Sequence, residues 1–207
     1  YGLARECAAL YNVPITFKPT EPTWHAEDTP VTCILNPDVC SVYYAQKITG
    51  IQHQHTPVVD QVRLYLSGER PINWIVDLTN LVMLETGHPM HAFDANGVSN
   101  ITVTYGENQS VTLLNDKEVQ VKETIPVVQL NQGVGAVAGI MGTEVQKVTD
   151  TTTDIILEMA VFNPVVVRQA SKVLGVRSES SHRFEKQVDA ASIPMALHRV
   201  HQVLSNH

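Results

Sequence analysis

The sequence predicts an α+β fold, and three observations lead to this class. The chain has 207 residues, 43% of them hydrophobic, which is enough for the core of one large domain or of two small interlocked ones. Residues 101–158 contain many short runs rich in β-branched residues, whereas helical patterns precede and follow them. Because strands and helices are segregated along the chain, we expect a β-sandwich or curled sheet with helices to one side.

The first hundred residues mix helical and extended patterns. Apolar residues at helical spacing predict a first helix over Gly2–Tyr11, and Pro14 ends it. Residues 18–30 carry three prolines and several acids, which indicate a linker or a covering loop. The further elements that we predict are strands over Val31–Leu35 and Val42–Thr49 and helices over Val58–Leu66 and residues 73–86.

The second half changes from strands to helices. The runs ITVTY, SVTLL, EVQVK, IPVVQL and GAVAGI predict short strands, and DIILEMA at 154–160 predicts a buried strand because its apolar residues are continuous. Asn163 is a suitable N-cap, Pro164 suits the first helical position and Gly175 suits the position after the last turn. A loop, RSESS, and a last helix over residues 190–204 are expected to follow.

Composition limits the classes of function. The chain has 14 basic and 21 acidic residues, a net charge of −7, whereas nucleic-acid binders usually show the opposite balance. Three cysteines without a CxxC pair favour a reducing cytosol over a disulfide scaffold, and no apolar run reaches membrane-span length. The first residues lack a signal-peptide pattern and resemble a helix entered in mid-chain, so we expect a fragment of a longer protein.

One local cluster departs from the acidic balance. Five of the fourteen basic residues lie within nineteen positions, and they form either a solvated helix face or a local basic patch that could contact nucleic acid. They are Arg168, Lys172, Arg177, Arg183 and Lys186.

The stretch HPMHAFD, from His88 to Asp94, concentrates groups that can carry chemistry. It allows three interpretations: a metal site of His88, His91 and Asp94, a polar loop, or a neutral histidine that orients a substrate or a water. A metal site needs the three side chains on one helix face, and Pro89 with Gly87 argues against a helix.

Three further features have both a structural and a functional interpretation. Glu158 follows an apolar run, so it either faces solvent at the strand end or serves as an acceptor in a pocket. The loop AGIMG, which ends at Gly142, forms a tight turn or lets a ligand approach the backbone. Ser178, Ser180 and Ser181 offer hydroxyl groups but lack a nucleophile-elbow pattern.

Four motifs in this order resemble one known family. They are INWIVDLTNLVMLETGHPMHAFD, TLLNDKEV, GAVAGIMG and ILEMAVFNPVVVRQASKVLGVRSESSHRFEKQVD. Together they are similar to the B3/B4 domain of the bacterial phenylalanyl-tRNA synthetase β chain, most clearly from Cys40 to Asp189. The resemblance implies a three-layer B3/B4-type domain over residues 40–207, with a β-sandwich or curled-sheet core, flanking helices, and residues 1–39 as an N-terminal helix and covering segment.

The resemblance also implies an activity and its site. In this family the B3/B4 region hydrolyses tyrosine that has been attached wrongly to tRNA(Phe), within a cytoplasmic α2β2 enzyme that uses ATP and Mg²⁺ and makes its product on the α chain. Carried over by motif, His91 and Glu158 are the catalytic candidates. The substrate-binding candidates are Asn80, Gly142, Ser178 and Ser180, and the basic cluster is the candidate contact for the tRNA 3′ end. No metal or cofactor is implied within this region.

The expected roles follow from the difference between tyrosine and phenylalanine. Glu158 would accept the extra hydroxyl, and His91 would orient a water or the terminal ribose rather than act as a nucleophile. Three positions depart from the family: glycine is typical where the chain has Thr143 and Gln187, and glutamine where it has His88. These departures leave open a second hypothesis, a structural or tRNA-docking module without hydrolysis, in which Thr143 fills the pocket.

Overall fold

The three-layer α+β architecture is confirmed by the structure, a computed structural model that describes residues 1–16, 31–52 and 54–205. Helices cover one face of a three-stranded sheet, and a five-stranded sheet packs on its other face. The predicted covering loop at 18–30 lies outside the described residues.

Six α-helices are present in the described ranges. They are α1 (Gly2–Tyr11), α2 (Val58–Leu66), α3 (Trp74–Thr86), α4 (Pro164–Leu174), α5 (Glu179–Phe184) and α6 (Ile193–Ser205), the last preceded by a 3₁₀ turn at Ala190–Ser192. The predicted caps of α4 are confirmed, since Asn163 Oδ1 accepts from the Val165 amide and Gly175 is left-handed. None of the helices in these ranges has both the length and the apolar character needed to cross a membrane.

Ten strands form three sheets in the described ranges. In chain order they are β1 (Thr32–Leu35), β2 (Cys40–Ile48), β3 (Met90–Asp94), β4 (Asn100–Tyr105), β5 (Gln109–Thr112), β6 (Glu118–Val121), β7 (Pro126–Leu130), β8 (Gly133–Val137), β9 (Met141–Gly142) and β10 (Ile155–Phe162). The five-stranded sheet has the order β1-β4-β7-β8-β9, the three-stranded sheet the order β2-β10-β3, and β5-β6 is a hairpin. All pairs are antiparallel except β1 with β4.

Strand β10 is the central strand of the three-stranded sheet, and its side chains point alternately into two hydrophobic cores. Ile155, Leu157 and Met159 face the helices α3 and α6, whereas Ile156 and Phe162 face the five-stranded sheet. Glu158 has the same parity as Ile156, so it points into the space between the two sheets. A carboxylate is therefore inserted into an apolar layer, where its burial costs free energy unless it is paired or hydrogen-bonded.

Three local interpretations need correction. HPMHAFD is not a loop, because Met90–Asp94 form β3 and pair with β10, while Pro89 stands just before the strand, where no amide is needed. RSESS is not a loop either, because Ser178 begins α5 with a capping box. The predicted strand GAVAGI is interrupted by a turn after Val137. The predicted helix α1 is present, and none of its side chains is fully buried.

Candidate functional site

His91 and Glu158 face each other directly across two paired strands. The register of β3 with β10 places His91 opposite Glu158, and both side chains point between the sheets. Cross-strand partners lie within about 4.5–5.5 Å at their Cβ atoms, so the imidazole and the carboxylate share one small volume. Two residues that are 67 positions apart in the sequence are thus placed together by strand pairing alone.

The imidazole of His91 is held by packing and is not bound by a partner. Its ring lies edge-on to Phe93, with 4.5 Å between ring centroids. Neither ring nitrogen bonds to another group in the described part of the chain. Burial lowers the pKa of His91 to about 4, so the ring is neutral at pH 7 and has one donor and one acceptor nitrogen available.

The carboxyl group of Glu158 is buried and half titrated at neutral pH. The side chain is 6% exposed, and burial raises its pKa to about 7, although the hydrogen bond from Tyr43 opposes that rise. The Tyr43 hydroxyl donates to Glu158 Oε2 over 2.6 Å. Oε1 accepts no hydrogen bond from the described residues, so it remains available to a ligand.

A small cavity connects these two groups, and we call it the His91–Glu158 cavity. Gly142, Ser180 and Phe184 also line it. Its volume is about 40 Å³, which leaves room for a few water molecules at roughly 10–15 Å³ each. The cavity is smaller than a tyrosine side chain.

The position of the His91 ring requires a residue without a side chain at Gly142. A Cβ atom added at Gly142 would lie 2.5 Å from His91 Cε1 and 2.8 Å from Nε2, far inside van der Waals contact. It would also lie 2.9 Å from Leu114 Cδ1, so the ring cannot move aside freely. Glycine at this point of β9 therefore lets the imidazole stand beside the backbone of the opposite sheet.

We expect Gly142→Ala to displace His91 and to lower the free energy of unfolding by about 1–3 kcal/mol, the usual cost of overpacking. Chemical denaturation of the chain measures this loss. Gly2→Ala is the matched control, because a Cβ there has no neighbour within 4 Å and its effect should stay within about 0.5 kcal/mol. Equal stabilities of the two variants would show that His91 is not held against Gly142.

The two predicted serines have different positions. Ser180 lines the cavity, and its hydroxyl bonds to no group in the described ranges. Ser178 is the N-cap of α5: its hydroxyl donates to the Ile140 carbonyl over 2.6 Å and accepts from the Ser181 amide over 3.0 Å. Ser178 therefore ties α5 to the turn beside the cavity, and it is not a lining residue.

Asn80 is not brought to the cavity. It lies partly exposed on α3, a helix that packs on β3 in the helical layer, and it is absent from the lining. Asp77, on the same helix, is buried and accepts hydrogen bonds from the Thr56 hydroxyl and the Ile72 amide. That carboxylate holds the chain before α3 in place.

The three departures from the family pattern leave the cavity open. Thr143 does not fill it, because its hydroxyl donates to the Val134 carbonyl and its side chain is buried between strands. Gln187 adopts a left-handed conformation, with φ of 67°, which costs a non-glycine residue free energy. His88 is fully buried, and its Nδ1 lies 2.8 Å from the Ser192 hydroxyl.

The candidate metal ligands do not converge. His88 contacts Ser192, His91 faces the cavity, and Asp94 accepts from Thr152 over 2.6 Å. His91 and Asp94 lie on opposite faces of β3 because they are three positions apart in a strand. Across the described residues, no group of three histidine, cysteine or acidic side chains is arranged to hold a metal ion.

The basic cluster divides between two helices. Arg168 and Lys172 are exposed on α4, whereas Arg183 and Lys186 line a groove of about 710 Å³ beside α5. Arg5 and His182 also line this groove, and we call it the basic groove. Because α5 presents Ser180 to the cavity and Arg183 to the groove, the two depressions flank one short helix.

Ion pairs reduce the charge of part of the cluster. Arg177 pairs with Glu185 over 2.9 Å and Arg183 pairs with Glu179 over 2.5 Å. Lys186 forms no ion pair within the described residues.

Tyr43 is the site residue that the sequence did not reveal. It lies on β2, on the far side of β10 from His91, and reaches Glu158 diagonally because Tyr43 pairs with Ala160. The sequence predicts the strand but not its partner, so it gives no sign that this hydroxyl meets a buried carboxylate.

Comparisons with known proteins agree with the fold and with the motifs. The family described as the B3/4 domain matches residues 39–207. The "Phenylalanine--tRNA ligase beta subunit" of Thermotoga maritima is 35% identical over 98% of this chain, and that of Aquifex aeolicus is 37% identical over 94%. The chain spans about a quarter of the length of these relatives, 26% and 25% respectively.

A solved structure shows the same fold at low sequence identity. It is an N-terminal fragment of the phenylalanyl-tRNA synthetase beta-subunit from Pyrococcus horikoshii, with a TM-score of 0.52 and 13% identity, and the alignment covers 75% of this chain and 52% of that one. This likeness concerns the fold alone. The family match over residues 39–207 shows that the chain belongs to the B3/4 domain family, and the curated relatives that it resembles are phenylalanine–tRNA ligase beta subunits.

Proposed function

We propose that this domain hydrolyses tyrosine from wrongly charged tRNA(Phe), as an editing site. The observation that supports this proposal most is the pairing of a neutral imidazole and a buried, half-titrated carboxyl group in one cavity, each with unused hydrogen-bonding capacity. Burying such groups costs stability, and perturbed pKa values of this kind concentrate at functional sites.

Glu158 supplies the discrimination between tyrosine and phenylalanine. The phenol hydroxyl of tyrosine would donate to Glu158 Oε1, the oxygen without a partner. Phenylalanine would leave this buried acceptor unpaired, and sites of this design reject the analogue that lacks the hydroxyl by large factors. The editing pocket therefore binds the wrong amino acid and refuses the correct one.

His91 positions the reaction, which needs little chemical activation. The ester between an amino acid and ribose is reactive, so an oriented water and a few dipoles suffice for its hydrolysis. With a pKa of about 4, His91 remains neutral above pH 5, and one ring nitrogen can accept a proton from the water while the other donates to the ribose. Gly142 and Ser180 belong to the proposed substrate site, and Ser178 supports it by holding α5, whereas Asn80, the fourth candidate from the resemblance, lies outside the cavity.

The 3′ end of tRNA(Phe) would approach over the basic side chains. Arg183 and Lys186 in the basic groove lie beside the cavity, and the remaining candidates for this contact are Arg168 and Lys172 on α4 and Arg177 just before α5. A net charge of −7 means that this domain contributes a small part of the total tRNA contact.

The wider setting is that of the whole ligase. The parent beta subunit would pair with an alpha subunit in an α2β2 enzyme of the cytoplasm that joins phenylalanine to tRNA(Phe) with ATP and Mg²⁺. Deacylation in this domain needs no metal ion or cofactor. Residues 40–207 would form the editing unit and residues 1–39 its N-terminal helix and covering segment.

The cavity volume favours a second candidate function. A volume of about 40 Å³ does not admit a phenol ring, so the domain would be a structural or tRNA-docking module if the walls were rigid. Two of the walls, Met90 and Met141, are flexible side chains that repack readily. Editing therefore requires that these methionines move when the substrate enters.

Glu158→Ala in the full-length enzyme separates the two functions. We expect hydrolysis of Tyr-tRNA(Phe) to fall by roughly 10²-fold or more, since one buried polar contact is lost and the cavity loses its hydroxyl acceptor. Synthesis of Phe-tRNA(Phe) should remain near normal. Thr143→Val, which removes a buried hydroxyl outside the cavity lining, is the control for indirect structural damage. A parent enzyme that binds tRNA normally and deacylates nothing would establish the docking module instead.

A further inference from the structure

The carboxyl group of Glu158 is surrounded by groups that stay neutral near pH 7. The titratable neighbours are Tyr43 and Cys40 from β2, Cys33 from β1 and His91 from β3. Partial desolvation raises the pKa of the exposed Cys33 thiol. Burial raises the pKa of Cys40 to about 12 and that of Tyr43 well above 10, and it lowers the pKa of His91 to about 4. Of these five groups, Glu158 alone changes charge in the neutral range.

One hydrogen bond stabilises the charged form of this carboxylate. The Tyr43 hydroxyl donates to Oε2 over 2.6 Å, a length typical of a charge-assisted bond. The bond lowers the pKa of Glu158 against the larger effect of burial. Without it, the carboxylate would lack a donor in the described part of the chain.

Packing fixes the ring of Tyr43 in the position that makes this bond. The ring lies edge-on to Phe162, with 6.5 Å between centroids, and Phe162 lies edge-on to Phe184 over 5.0 Å. Phe184 in turn lines the cavity. The phenol of Tyr43 therefore belongs to an aromatic chain that runs from β2 to the cavity wall on α5.

We propose that Tyr43 is the positioning residue for Glu158: its hydroxyl holds Oε2 towards β2, so that Oε1 faces the cavity as an ionised acceptor for a phenol hydroxyl. This inference rests on the proposed function for its substrate, and it assigns the selectivity of the site to a pair of residues. Tyr43 does not touch the substrate. It sets the orientation and the charge of the group that does.

The charge of Glu158 matters because it determines how strongly the site rejects phenylalanine. An ionised carboxylate is an acceptor only, so phenylalanine would leave it buried and unpaired at a high cost. A protonated carboxyl group is cheaper to leave unpaired and would tolerate phenylalanine better. Loss of the Tyr43 hydroxyl should therefore weaken selectivity more than it weakens hydrolysis itself.

The first test measures the pKa of Glu158 by carboxyl ¹³C NMR of the chain. Tyr43→Phe should raise this pKa by roughly one to two units, the equivalent of one hydrogen bond to a charged group. Tyr44→Phe is the matched control, because it removes a hydroxyl from the same strand on the opposite face, and it should leave the pKa unchanged. An unaltered pKa in Tyr43→Phe would overturn the proposal.

The second test measures selectivity in the full-length enzyme. The ratio of kcat/KM for Tyr-tRNA(Phe) over Phe-tRNA(Phe) should fall roughly 10- to 100-fold in Tyr43→Phe. In a Glu158→Gln background the same change should have no further effect, because both variants disable one unit. Fully additive effects would show that Tyr43 acts independently and would refute the proposal. A shifted pKa in an enzyme that never deacylates would refute the proposed function and leave the positioning of Glu158 supported.

Discussion

Glu158→Gln is expected to stabilise the chain at pH 8 by about 3 kcal/mol relative to the parent sequence, while it removes selective hydrolysis of the tyrosyl ester. The gain arises because the pKa of Glu158 is raised by burial from 4.5 to about 7, so folding above pH 7 requires a buried charge. Glutamine keeps the shape and an oxygen that accepts from Tyr43, and it removes that charge.

The pH dependence of this gain is fixed by the sign of the pKa shift. Between pH 4.5 and 7 the folded protein binds more protons at Glu158 than the unfolded chain does, so the contribution of this residue to stability falls as the pH rises. The parent chain and Glu158→Gln should therefore have nearly equal stability at pH 4.5, and their stabilities should diverge up to about pH 7–8.

Chemical denaturation of the parent chain and of Glu158→Gln at a series of pH values measures the difference in their free energies of unfolding. The titrations of all other groups cancel in this difference. Thr143→Val is a control, because it removes a buried polar group that the cavity does not use and should destabilise the chain at every pH. A Glu158→Gln variant that is less stable than the parent at pH 8 would identify Glu158 as a structural residue.

A more stable and less active variant would explain why the carboxylate is present. Glu158 interrupts an apolar run in β10, where Ile156 and Leu157 are fully buried. A strand that needed only packing would have another apolar residue at this position. The cost in stability is then the consequence of holding an acceptor in a dry cavity, where its hydrogen bonds discriminate most strongly.

Sequence patterns predicted the elements that local signals define. Asn163, Pro164 and Gly175 bracket α4 because caps act within one helical turn, and the continuous apolar run of β10 indicated burial on both faces. RSESS has the pattern of a loop, because its capping box uses Ser181 where an acid is the usual signal.

The site could be predicted only in part, because strand register decides it. Resemblance identified His91 and Glu158 as candidates, but their direct pairing depends on which residues of β3 and β10 stand opposite each other. No local pattern encodes that register. For the same reason Tyr43, which bonds to Glu158 from a third strand, could not be predicted from the sequence. Asn80 is a candidate through the resemblance alone, and it lies on helix α3 outside the cavity lining.

The two histidines of HPMHAFD should respond to mutation in opposite ways. His91→Ala should slow deacylation of Tyr-tRNA(Phe) by roughly 10- to 1000-fold, the range for one lost orienting or acid–base group. Its effect on the free energy of unfolding should not exceed about 1–2 kcal/mol, since the ring lines the cavity and its nitrogens bond to no described residue.

His88→Ala should destabilise the fold by about 2–4 kcal/mol, because the ring is fully buried and bonds to Ser192 across the chain. Hydrolysis by the folded fraction should remain close to that of the parent enzyme, since His88 lies outside the cavity lining.

Single-turnover deacylation together with thermal melting of His91→Ala and His88→Ala measures the contrast. If His91→Ala deacylates at the parental rate, or if it unfolds the domain, then the imidazole that faces Glu158 is a packing residue. The proximity of two polar side chains in this cavity would then have no catalytic meaning.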